Sequence, residues 1–223
     1  FTNQAGATFN AQADEAINMS GSGIFNNEGA FVRSGTGASR FNLPFINSGS
    51  VQVSAGTLRL NGGGMGSAGF TVDDTARLEF IGGTFSLDDG AALAGAGLYY
   101  LSGDTLSING NVSVTNFEQV GGYVGGAGQF TVSQLMNWTG GYQRGAGATN
   151  IAAGARLNLN DGPDYLRHEG RTINNAGTAT WTTGGSNYWY LNDNAVFNNL
   201  AGATFNAQAN EAINMSGSGA FNN

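Results

Sequence analysis

Residues 1–27, FTNQAGATFNAQADEAINMSGSGIFNN, return as residues 197–223, FNNLAGATFNAQANEAINMSGSGAFNN, with 23 of 27 positions identical. Only Thr2/Asn198, Gln4/Leu200, Asp14/Asn210 and Ile24/Ala220 differ. Near-identity at an offset of 196 residues marks a long tandem repeat, and such chains fold as stacked units that contact mainly their neighbours. The expected organisation is one full repeat over 1–196 and the start of the next over 197–223, an excerpt from a longer array.

A shorter, looser period runs inside the long one. An apolar residue is followed by a polar pair often containing Asn, a Gly, alternating apolar positions and a Gly-rich turn. It is read in FNNEGAFVRSG (25–35), FINSGSVQVSAGTLRLNGGG (45–64), FTVDDTARLEFIGG (70–83), FTVSQLMNWTGG (130–141), INNAGTATWTTGG (173–185) and FNNLAGATFNAQ (197–208). The anchors Phe1, Phe25, Phe45, Phe70, Leu93, Val112, Phe130, Ile151, Ile173 and Phe197 divide the 196 residues into nine units averaging 21.8.

Within units the apolar period is two, as in Val51/Val53, Leu58/Leu60, Leu106/Ile108 and Val112/Val114. Such alternation over a few residues marks half-buried strands. Turn signals such as Gly62-Gly63-Gly64, Gly82-Gly83, Asn109-Gly110 and Gly140-Gly141 punctuate them. Short strands in coils of about 22 residues predict an all-β chain, a right-handed parallel β-helix with about nine coils per repeat. A left-handed helix needs a six-residue rhythm that is missing, and a β-sandwich array predicts repeats of about 100 residues.

Composition narrows the function classes. Cys and Lys are both absent, so disulfides, thiolate metal sites and cysteine nucleophiles drop out. Eight Arg against 15 acidic residues give a formal charge of −7, which disfavours nucleic acid as a partner. No apolar run reaches the 18 or more residues of a membrane helix, so membrane insertion within this segment is not expected.

The strings INNAGTATWTTGG, FNNLAGATFNAQ, FNNEGAFVRSGTG and FINSGSVQVSAGTLRLNGGG resemble the long repeats of very large secreted bacterial surface proteins. These are adhesin-like chains of the filamentous-haemagglutinin and autotransporter-passenger kind, and the likeness spans essentially the whole sequence. It implies an extracellular, non-enzymatic fibre or adhesin shaft with no cofactor. Its partners would be further copies end to end, and neighbouring fibres or surface glycans. The alternative is a carbohydrate-binding or carbohydrate-cleaving β-helix.

Candidate chemistry is sparse. Asp73-Asp74, Asp88-Asp89, and Asp161 with Asp164 are paired acids suited to acid–base work or weak Ca²⁺ binding, yet neighbouring residues of a strand face opposite ways. The bland reading is solvated turn acids. His168, the only histidine, reads as a solvated loop residue in LRHEGR. Tyr188, Trp189 and Tyr190, and Tyr99 with Tyr100, must place at least one ring outside the lumen, a surface for sugars or a second fibre. The anchors Phe1, Phe25, Phe45, Phe70, Phe130, Ile173 and Phe197 are expected to form one internal stack, with Phe1 and Phe197 equivalent on the axis. Nine coils at about 4.8 Å give a rise of about 43 Å per repeat.

Overall fold

The computed structural model describes residues 1–17, 22–161, 165–183 and 188–223. Its 29 strands are joined by parallel ladders into one continuous β-solenoid of three faces. Face A is an eleven-stranded sheet that starts at Thr2–Asn3, Phe25–Asn27 and Phe45–Asn47 and ends at Ile213–Met215, so ten turns separate its first and last strands. Face B starts at Thr8–Ala11, Ala30–Arg33 and Ser50–Val53, and face C at Ala16–Ile17, Ala38–Phe41 and Thr57–Leu60. In the middle coils Ala92–Leu101, Asn111–Gln119 and Gln129–Trp138 run unbroken from B into C. Register shifts at Leu93/Leu98 and Val114/Asn116 mark the bend.

Alternation builds the lumen. In Thr84–Leu87, Phe85 and Leu87 are buried while Thr84 and Ser86 face outward. Parallel register then stacks like on like: Phe1 lies 5.0 Å from Phe25 and Phe25 lies 5.3 Å from Phe45, ring centroid to centroid, nearly coplanar in orientation. Each fully buried Phe contributes roughly 1.5–3 kcal/mol. Gly64 occupies the next place in that column, between Phe45 and Phe85. Its φ of 140° and a hypothetical Cβ 2.0 Å from the Phe45 carbonyl oxygen exclude a side chain there.

Asn side chains seal the corners. Buried Asn27 donates to Asn47 Oδ1 (2.8 Å) and to the Ser50 carbonyl (2.9 Å), and accepts from Asn3 (2.8 Å). Asn175 makes the same pair of donations, to Asn199 Oδ1 and the Thr204 carbonyl. On the outer surface of face B a second ladder runs the other way, Asn222 to Asn198 to Asn174 to Asn150. Truncating one inner rung orphans buried partners above and below it. Asn27→Ala is expected to lower stability by about 1–3 kcal/mol, read as a fall in the urea midpoint without a change of slope.

The single stack expected from the sequence resolves into three columns. Phe1, Phe25 and Phe45 belong to face A. Phe70 stands on face B above Val51, and Phe130, Ile173 and Phe197 form a second face-B column through Thr149. All are buried except Phe1, which is 58% exposed at the open edge. Phe1 and Phe197 therefore lie on different faces, contrary to the sequence expectation. The step from Phe45 to Phe70 is not one coil but one coil and one face, because Gly64 and not Phe70 sits over Phe45.

Nine coil steps carry the column from Phe1 to Leu191, by way of Phe25, Phe45, Gly64, Phe85, Leu106, Val124, Gln143 and His168. Phe197 lies six residues further, on face B. One 196-residue repeat thus holds nine and one-third coils. Its rise becomes about 45 Å.

Candidate functional site

The outward surface of face A carries a strip of aromatic and arginine side chains. Parallel register aligns Tyr123, Tyr142, Arg167 and Tyr190 on successive coils, since each is the outward residue of its strand. Tyr123 and Tyr142 lie 4.7 Å apart with their rings tilted by 31°, and the Arg144 guanidinium lies 3.6 Å from the Tyr123 centroid. Arg167 sits among Tyr142, Tyr165 and Tyr190 at 5.4, 5.4 and 5.8 Å. Tyr190 also meets Tyr165 and Tyr188 edge to face. Gly121, Gly122 and Gly141 floor a groove of about 300 Å³ beside Tyr123, Tyr142, Tyr165 and Arg167.

The strip can hold a partner through phenol hydroxyls and guanidinium N–H groups. Much of its aromatic surface is already used, however, in stacking along the axis. Cation–π contacts of this kind contribute about 0.5–1 kcal/mol at exposed sites, so the strip also stabilises its own face. Among the described residues no carboxylate, imidazole or hydroxyl nucleophile of Ser or Thr lines the groove.

Of the five aromatics offered as a surface contact, at least one of which had to lie outside the lumen, two are internal. Tyr99 and Trp189 are fully buried, while Tyr100, Tyr188 and Tyr190 face outward and are half-buried. Tyr99 fills the bend between faces B and C, where its one hydroxyl proton is shared between the Phe70 and Ala94 carbonyls, 2.9 and 2.8 Å away. Burial raises its pKa. Tyr100 is covered by Arg77, 3.6 Å from its centroid, and Arg77 and Arg59 both pair with Glu79. Trp189 is packed among His168, Phe197, Phe205 and Phe221.

The paired acids do not converge. Asp73 accepts from Gln52 (2.6 Å) in an exposed turn closed by Ala76 N–H on the Asp73 carbonyl, and Asp74 accepts from Thr75 N–H. Asp88 accepts from Asn109 across one coil. Asp164 and the Asp161 side chain lie outside the described residues. No three His, Cys, Asp or Glu side chains gather among the described residues.

His168 is a correction: it is buried in the lumen, not solvated, because it is an inward position of Leu166–Glu169. Its Nε2 donates to the Arg171 carbonyl at 2.6 Å, leaving Nδ1 as an acceptor without a partner among the described residues. Burial is the main reason its pKa falls from 6.5 to about 4; the hydrogen bond opposes this and the Arg171 charge adds to it. His168 is therefore neutral at pH 7.

Sequence reasoning missed the polar seam beside it. Buried Arg171 donates to Thr149 Oγ1 (2.9 Å) and to the carbonyls of Ala148 (2.8 Å), Gly125 (3.3 Å) and Gly126 (3.4 Å). Thr149 donates to Gln143, and Gln143 to Gln119, which reaches the Tyr142 carbonyl. Burial lowers the Arg171 pKa to about 10, still charged at neutral pH. Only register could have found this seam, since RHEGR reads as a surface loop. Compared with models of protein families, with curated proteins and with solved structures, the chain matches none.

Proposed function

We propose that this chain is a structural, non-enzymatic segment of an extracellular fibre or adhesin shaft built from tandem β-solenoid repeats. The observation that carries this reading is the recurrence of one coil, in sequence and in packing, at both ends of an unbroken parallel stack. The ring triad Phe1, Phe9 and Phe25 has centroid separations of 5.6, 5.0 and 5.0 Å. Phe197, Phe205 and Phe221 repeat it at 5.5, 5.0 and 4.9 Å. A unit that ends as it begins propagates, and its function is length and stiffness. The acidic, Lys-free surface limits side-by-side collapse.

The ends are also chemically matched. Asn3 uses its amide as donor toward Asn27, and Asn223 uses its Oδ1 as acceptor from Asn199. Asn223 therefore offers a donor and Asn3 an acceptor to a second copy, alongside unpaired strand edges. The isolated chain is expected to associate end to end, seen as concentration-dependent growth in light scattering and as thin filaments in the electron microscope. A strictly monomeric species at micromolar concentration would count against the fibre.

The second reading, a carbohydrate-binding surface, is favoured by the Tyr–Arg groove on face A. Binding of uronate-containing oligosaccharides that is lost in Arg167→Ala, with the melting temperature unchanged, would support it.

A further inference from the structure

We infer that the repeated 27-residue segment is a phase-neutral junction, so that successive 196-residue repeats are turned by one face, a third of a turn, about the solenoid axis. The inference rests on the tandem-repeat reading above. In the first copy the strands Thr2–Asn3, Thr8–Ala11 and Phe25–Asn27 occupy faces A, B and A. In the second, Val196–Asn199, Thr204–Ala207 and Ala220–Asn222 occupy B, C and B. Ile213–Met215, on face A, answers to Ala16–Ile17, on face C. Every strand of the copy has moved on by one face.

Local structure does not change in the process. The turn joining the first two strands is closed by Ala7 N–H on the Gln4 carbonyl in one copy and Ala203 N–H on the Leu200 carbonyl in the other, both at 2.9 Å. Gly6 and Gly202 hold φ values of 82° and 84° in the two turns. That turn makes the A–B corner first and the B–C corner second. The ring triads agree to 0.1 Å, as given above.

The physical reason is a spacing within the segment. Phe1, Phe9, Ile17 and Phe25 are eight residues apart, as are Phe197, Phe205, Ile213 and Phe221. One 24-residue coil is thus three equal eight-residue sides, each starting with a large apolar residue. A coil with three equal sides fits its neighbour in any of three phases. The intervening residues, which add eight and one-third coils between Phe25 and Phe197, set which phase is used.

The consequence is a display rule. A feature on face A of one repeat, the Tyr–Arg strip included, stands on face B of the next and face C of the third. The phase is restored after 28 coils, about 134 Å. A shaft built this way presents the same surface in three directions, and a partner approaching from any side meets it within one such period.

The test is a chain in which residues 1–196 are followed directly by residues 1–223, with Met65→Cys in both copies. Met65 is exposed on face A, and the natural sequence holds no thiol. Each thiol is biotinylated and marked with streptavidin for electron microscopy. A single-copy chain labelled at Met65→Cys and Tyr190→Cys, both outward on face A, measures the ordinary twist per coil. After subtracting that twist, the two Met65 labels are expected about 120° apart around the axis and about 45 Å apart along it. Labels eclipsed after the same correction overturn the inference. If Met65→Cys fails to fold by circular dichroism, Ser107→Cys on the same face replaces it. Eclipsed labels would leave the fibre reading standing, since the two copies are joined covalently; a free chain that never associates would do the reverse.

Discussion

Trp189→Ala is expected to destabilise the chain by about 3–5 kcal/mol, the range for emptying a fully buried large aromatic site. Trp189 is 0% exposed, and its ring meets Trp138, His168, Trp181, Phe197, Phe205 and Phe221. Its Nε1 has no hydrogen-bond partner among the described residues, so Trp189→Phe forfeits volume but no bond and costs far less. Tyr190→Ala, one residue away on the outer surface, should shift the urea midpoint little. Equal effects for Trp189→Ala and Tyr190→Ala would mean that the strand faces the other way.

The second large effect is acid sensitivity. A buried neutral imidazole whose folded pKa lies below its unfolded value binds its proton more readily in the unfolded chain. The stability it confers is therefore complete above pH 6.5 and lost as pH falls toward about 4. The separation from 6.5 to about 4 is worth about 3 kcal/mol. His168→Gln retains a donor for the Arg171 carbonyl without a titrating ring. Subtracting its unfolding free energy from that of the natural chain at each pH isolates this contribution. The difference should change by about that amount between pH 7 and 4 and then level off. A difference flat across this range would place His168 in solvent.

Fold class was legible because alternation is enforced wherever one strand face is dry. Val51/Val53 and Leu106/Ile108 point inward as their spacing requires. Phase was not legible. Gly64 is a lumenal position with no side chain, so a search for apolar anchors passes over it and takes Phe70, which stands on another face. The count of nine coils inherits that skipped third. The eight-residue spacing of Phe1, Phe9, Ile17 and Phe25 carries the signal, because it marks thirds of a coil rather than whole coils.

At the candidate site the same limit applies. Alternation correctly sets Trp189 opposite Tyr188 and Tyr190, and Tyr99 opposite Tyr100, but does not say which side is inside. Polar residues hide their placement still better. Arg171, Gln143 and Gln119 satisfy one another and nearby carbonyls inside the lumen, an arrangement that only neighbouring coils reveal. The Asn ladders were more accessible, because the pairs Asn26-Asn27, Asn174-Asn175 and Asn198-Asn199 stand out in the sequence as repeated polar pairs.

The register between Phe45 and Phe70 decides the account, since nine and one-third coils follow from it. Ile46 is stacked directly on Met65, and Thr71 on Gln52, all with outward side chains. The natural sequence contains no cysteine, so paired cysteines can be read without background. A short fluorogenic thiol bridge such as dibromobimane should close between Ile46→Cys and Met65→Cys, one coil apart at about 4.8 Å. It should fail between Ile46→Cys and Thr71→Cys, which stand on different faces. Bridging of the Ile46/Thr71 pair, with the Ile46/Met65 pair left open, would restore nine whole coils and contradict the three-faced register described here.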